Sequence, residues 1–213
     1  MNIIKVIIDF IMHIDKNLEI MIKTYGMGAY AILGAIIFAE TGLVVLPFLP
    51  GDSLLFAAGA LSAKPNGFSF PVLLIVCISM AFIGNTVNYF IGSFFGKKIL
   101  STNFFKKIIK DEQLKKAHNF FEKHGVVSIV LARFVPILRT VVPFIAGISE
   151  MSWKKYMFYN FIGAVSWVTL LLSAGSFFGN IPFVEKNFSV VVLAIVFISV
   201  LPVIFEVIRK RKK

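Results

Sequence analysis

Charge, cysteine and histidine are all scarce in this chain, and each shortage removes a class of function. Asp, Glu, Lys and Arg make up 15% of the residues, where soluble domains carry about 25%. Cys77 is the only cysteine and falls inside an apolar run, so neither an internal disulfide nor a cysteine metal site can form. It reads as a small packing residue. His13, His118 and His124 lie in polar segments and are expected to be solvated, and no metal or cofactor is expected. There is no PSGH-type histidine cluster and no GxSG serine with a membrane histidine, which argues against a lipid phosphatase or an intramembrane protease. No enzyme is expected. The amino end also lacks a signal peptide's clean apolar core, because Asp9, His13 and Asp15 interrupt it.

What the chain has is apolar surface. Hydrophobic residues are 58% of 213, and the mean hydropathy is +0.86. The composition is that of an all-α integral membrane protein, with one membrane domain over residues 1–213 and spans of about 20 residues each. The net charge is +11, with a pI of about 9.8. The lysines gather at the flanks of apolar runs, where they mark the cytoplasmic side rather than a nucleic-acid partner.

Residues 1–25 alternate apolar positions with Lys5, Asp9, Lys16, Glu19 and Lys23, a pattern for an amphipathic interfacial helix or one packed on the bundle. A first span is expected from about Met27 to Leu46, carrying Glu40. Pro47, Pro50 and Gly51 then break the chain, and Ser53 to Ser62 is too short to cross, so 47–62 reads as a re-entrant hairpin. Phe70 to Phe95 can span and contains Asn85 and Asn88, which join helices or line a cavity. Residues 97–124 carry eight lysines and form a basic cytoplasmic segment. A second re-entrant hairpin, 126–147, holds Pro136, Pro143 and Gly147. Spans over Tyr156 to Phe178 and over 188–208 follow, and the basic tail 209–213 closes the chain. Trp153, Tyr156 and Tyr159 beside Lys154 and Lys155 read as an interfacial belt. The lysine distribution puts both termini in the cytoplasm.

Two arginines, Arg133 and Arg139, sit in the apolar run Leu131 to Gly147. A guanidinium at the centre of a membrane helix costs roughly 2.5–3.5 kcal/mol on insertion scales. In an unbroken helix, six residues would set the two side chains roughly 120° apart. They can turn toward one cavity only if the segment is broken, and a broken helix at that depth must be buried in protein or line water.

The chain also repeats itself. Phe56-Ala-Ala-Gly59 recurs as Phe144-Ile-Ala-Gly147, Phe82-Ile-Gly84 as Phe161-Ile-Gly163, and Gly92-Ser-Phe-Phe-Gly96 as Gly175-Ser-Phe-Phe-Gly179. With the topology above, 27–96 and 125–180 are copies that enter from opposite faces. That is an inverted repeat of re-entrant hairpin plus transmembrane helix, an architecture that places a site at the midplane.

Four ionisable residues therefore fall in the interior: Glu40, Asp52, Arg133 and Arg139. Arginine forks match phosphate oxygens, so Arg133 and Arg139 are candidates to bind an anionic head group. Glu40 and Asp52 are candidates to compensate them, to gate, or to carry a proton. The plainer alternative is two internal salt bridges that pin the hairpins. Buried pairs rarely add net stability over apolar packing, which argues for a use beyond that.

Taken in order, Phe38-Ala-Glu40-Thr-Gly42, Pro47-x-x-Pro50-Gly51-Asp52, Asn88-Tyr89 with Gly92 and Gly96, and Phe121-x-x-His124-Gly125 form a recognisable series. It continues with Arg133-Phe134-x-Pro136-x-x-Arg139, Ala146-Gly147, Asn160 and Trp167. The series resembles the DedA family of VTT-domain, or SNARE-associated Golgi-type, membrane proteins over roughly residues 27–180. Members commonly carry Glu after the Pro-Gly; here the shorter Asp52 takes that place. The resemblance implies that Glu40, Asp52, Arg133 and Arg139 form the functional constellation. It also implies a lipid transporter or flippase of the bacterial inner membrane, acting on undecaprenyl phosphate or a phospholipid and linked to the proton motive force. The rival expectations are a proton- or cation-coupled small-solute transporter and a scaffold for other envelope proteins. A homo-oligomer is left open.

Overall fold

The computed structural model describes residues 14–43, 51–100, 124–149 and 151–179, with isolated positions between 181 and 194. The first half of the amino-terminal helix, Pro47 and Pro50, most of the basic 97–124 segment, most of the 188–208 span and the 209–213 tail lie outside the described residues. Among the described residues every regular element is helical. In chain order they are α1 (Ile14–Tyr25), α2 (Gly28–Gly42), α3 (Gly51–Ser62) and α4 (Phe70–Leu100). Two 3-10 turns then flank the short α5 (Ser128–Leu131), and α6 (Pro136–Ile148) and α7 (Trp153–Phe178) follow.

Among the described residues, only α4 and α7 are long and apolar enough to cross a membrane. At 1.5 Å per residue they measure about 46 and 39 Å against a hydrocarbon core of about 30 Å. As described, α2, α3 and α6 are only about 18–22 Å long. Two boundaries differ from the sequence reading. In the first span, expected to reach Leu46, the described helix ends at Gly42 with Leu43 outside it, and 44–46 lie outside the described residues. The helix begun at Phe70 runs on to Leu100 rather than stopping at Phe95, because Lys97 and Lys98 are good helix formers and nothing there breaks the ladder.

The chain forms two compact units. The first comprises residues 1–34, 50–77 and 168–213. In it α1 packs on α3 through the buried Ile14 and Leu18, while Ile20 and Tyr25 on the other face are exposed. The described half of the amphipathic segment thus packs one face against the protein. The helix stops at Gly26, whose φ of +52° is the left-handed conformation glycine tolerates and whose N–H donates to Ile22 O at 2.8 Å. Almost every side chain of α3 is buried. After α3 the chain reverses through Lys64-Pro65-Asn66-Gly67, as the turn residues foretell, and Tyr30 OH then accepts from Ser69 N at 2.6 Å.

The second unit comprises residues 35–49 and 78–167. Its central feature is the break before α6. Val135 is extended (φ −122°, ψ 111°) between a 3-10 turn ending at Phe134 and the helix opened by Pro136. A proline at a helix's first position is preorganised, and it forces its predecessor out of the helical region. Pro143 and Gly147, counted above among the hairpin-forming residues, lie instead inside the continuous α6.

Each unit contains the same set of glycine contacts. In the first, Gly59 lies against the Leu172 carbonyl, Gly175 against the Phe56 carbonyl, and Gly179 against Ala60. In the second, Gly147 lies against the Tyr89 carbonyl, Gly92 against the Phe144 carbonyl, and Gly96 against Ile148. These are the FxAG and GSFFG motifs of the sequence. Each FxAG helix packs on the GSFFG distant from it in sequence, and at Gly59, Gly175, Gly147 and Gly92 the contact is so close that a Cβ would meet a backbone carbonyl. Without a water-driven hydrophobic force between apolar helices, such approach is how they gain packing.

Candidate functional site

All of the site described here lies in the second unit. Four elements supply it: α2 with Glu40 and Thr41, α4 with Ala81, Asn85 and Asn88, the broken segment with Arg133, Arg139 and Thr140, and α7 with Tyr156, Asn160, Gly163 and Trp167. On α4, positions 81, 85 and 88 share one face, and on α7 positions 156, 160, 163 and 167 do the same. The break at Val135 puts Arg133 in the last 3-10 turn and Arg139 in the first turn of α6. Both arginines thereby turn inward, at 1% and 3% exposure.

Arg139 Nη2 donates to Glu40 Oε1 across 99 residues of sequence. The guanidinium also lies 4.9 Å over the centre of the buried Trp167 ring, within cation–π range. Asn88 closes the same corner. Its Nδ2 donates to Thr140 O at 2.8 Å and to Thr41 O at 3.3 Å, tying the residue after Arg139 to the residue after Glu40. Gly42 and Gly84 let α2 and α4 approach within van der Waals contact beside it.

Arg133 has a different environment. Its Nη2 donates to Asn160 Oδ1 at 2.6 Å, with Ala81 O at 3.3 Å and Asn160 O at 3.5 Å. In the orientation that satisfies both of its neighbours, the Asn85 amide accepts from Arg133 Nη2 and donates to Thr41 O, each at 3.1 Å. Among the described residues no carboxylate pairs with Arg133, and its Nε and Nη1 meet no hydrogen-bond acceptor. A buried donor left in that state costs about 1–3 kcal/mol.

Of the two carboxylates singled out in the sequence, Glu40 meets an arginine. Asp52 sits half-buried in the first turn of α3, in the first unit. A carboxylate there suits the positive end of the helix dipole.

The VTT domain family matches residues 43–177. This chain belongs to the DedA family of VTT-domain membrane proteins. DedA of Escherichia coli K12 is 48% identical over 213 residues, covering 100% of this chain and 97% of that protein. The Mycobacterium tuberculosis membrane protein Rv0364 is 40% identical over 203 residues, covering 90% and 87%. The E. coli K12 inner membrane protein YqjA is 33% identical over 153 residues, covering 72% and 69%. No solved structure matches.

For this DedA-family chain, sequence reasoning singled out the arginines, Glu40 and the two asparagines of α4, which the structure brings close together. It did not place Asn160 and Trp167 in the site, although both were part of the family resemblance. It misjudged Tyr156, expected in an interfacial belt. That ring is fully buried, stacks on Tyr89 with centroids 4.2 Å apart, and donates its hydroxyl to Asn85 O at 2.8 Å. The overlooked signal was the 156-160-163-167 spacing, which shares one helical face of α7.

Proposed function

We propose that this protein moves a phosphate-headed lipid, undecaprenyl phosphate or a glycerophospholipid, between the leaflets of the bacterial inner membrane by alternating access. Arg133 and Arg139 bind the phosphate. Glu40 and Asp52 gate the step or couple it to protons, with Glu40 holding Arg139 when the site is empty. In this reading the two hairpins enter from opposite faces as an inverted repeat, and both termini are cytoplasmic.

The observation that carries the reading is the pair of buried guanidinium groups, one held by a carboxylate and the other met, among the described residues, only by neutral acceptors. Burying an uncompensated charge is costly, so a chain that keeps one benefits from an anion that completes it. The matching glycine contacts in the two units support the repeat.

The test is reconstitution into liposomes containing a phosphate lipid whose outer-leaflet fraction is read by added phosphatase, with and without an imposed pH gradient. The expected result is gradient-dependent movement by the wild type and none by Arg133→Glu or Arg139→Glu at equal protein content. Movement retained by those variants would remove the arginines from the site. Flux of a small solute without lipid movement would replace the lipid with a solute.

A further inference from the structure

Among the described residues, every acceptor that meets Arg133 is neutral, and every one meets it at the same nitrogen. Asn160 contributes the shortest of these contacts, Oδ1 at 2.6 Å. Its orientation is imposed from behind. Asn160 Nδ2 donates to Phe82 O at 3.0 Å and to Thr86 Oγ1 at 3.2 Å, and the Thr86 hydroxyl itself donates to Phe82 O at 2.7 Å. With both amide hydrogens directed at α4, the amide oxygen faces Arg133. One turn along α7, Gly163 leaves room for the side chain. A Cβ there would fall 2.9 Å from Arg133 Cδ and Nε.

An amide at this position grips the guanidinium without cancelling its charge. Aspartate has nearly the same shape, and it would supply the missing counter-ion from within the protein. Arg139 is already engaged by Glu40 and Trp167.

We propose that Asn160 is a positioning residue, which fixes Arg133 by Nη2 in a charge-neutral cradle so that Nε and Nη1 meet an incoming phosphate headgroup before Arg139 does. This rests on the phosphate-lipid reading above and divides the labour between its two arginines. Arg133 makes the first contact, and Arg139 follows once Glu40 releases it.

The test uses the purified full-length chain in detergent, titrated by calorimetry with farnesyl phosphate and with farnesol, which lacks the charge. The readout is the ratio of the two affinities. Asn160→Asp exchanges the amide donor on Phe82 O for an ion pair with Arg133, and it is expected to lose about tenfold or more in its preference for the phosphate, because the new carboxylate occupies Arg133. A preference that survives Asn160→Asp overturns the role of Asn160 alone. Equal losses for phosphate and alcohol make Asn160 merely structural and also overturn it. If the wild type itself shows no preference for phosphate, the anion site and the proposed function both fall. Should Asn160→Asp fail to fold, Asn160→Ser decides: a reduced preference supports the assignment, and a wild-type preference overturns it.

Discussion

Glu40 and Arg139 form an ion pair from which water is excluded, with side-chain exposures of 0% and 3%. Glu40 comes from α2 and Arg139 from the first turn of α6, and the Trp167 ring covers the guanidinium. An ion pair in such a place is sensitive to the loss of one member. The survivor keeps its charge and loses its compensation.

Removing one partner should therefore cost about 3–5 kcal/mol. Glu40→Ala and Arg139→Ala are expected to lower the melting temperature of the purified protein sharply, each alone. The exchange Glu40→Arg with Arg139→Glu is expected to recover part of that stability without recovering transport. Single variants that melt like the wild type would show that the pair adds nothing to the fold.

Trp167 offers a graded version of the same experiment. Trp167→Phe keeps a ring face above Arg139, and Trp167→Leu keeps only bulk. A desolvated cation–π contact is worth about 2 kcal/mol or more, so the leucine variant should melt lower than the phenylalanine one. Equal melting of the two would assign Trp167 to packing alone.

The glycine contacts predict a matched pair. Gly92→Ala places a methyl group against the Phe144 carbonyl, and Gly175→Ala does the same against the Phe56 carbonyl. Overpacking of this kind costs about 1–3 kcal/mol. The two substitutions, one in each unit, are expected to destabilise by similar amounts in a thermal melt. A large effect from one and none from the other would break the equivalence of the two contacts.

Much of this is legible in the sequence. Pro136 announced the break at Val135, because the residue before a proline is driven into extended backbone. That break is what turns Arg133 and Arg139 to the same interior. The turn at Asn66 and Gly67 and the FxAG and GSFFG motifs were equally plain. Other features were not. Pro143 looked like a second break, yet α6 passes through it, because a packed helix can absorb a lost hydrogen bond that an isolated one cannot. Tyr156 looked interfacial because lysines adjoin it in sequence, but the face of α7 it occupies is buried. Lys97 and Lys98 looked like an end to α4, yet the helix continues to Leu100.

The amino-acid sequence by itself determined the membrane class, the DedA-family membership, the position of the break at Val135 and the interior placement of Glu40, Arg133 and Arg139, though not the half-buried place of Asp52. Those properties depend on composition, proline sterics and local order along the chain. Which carboxylate meets which arginine was decided only by the tertiary structure, as was the enclosure of Arg133 by Asn160, Asn85 and Ala81. Side chains 27 to 99 residues apart can be matched only when helices pack, and the chemistry of a guanidinium in hydrocarbon depends on its neighbours, not on its place in the chain.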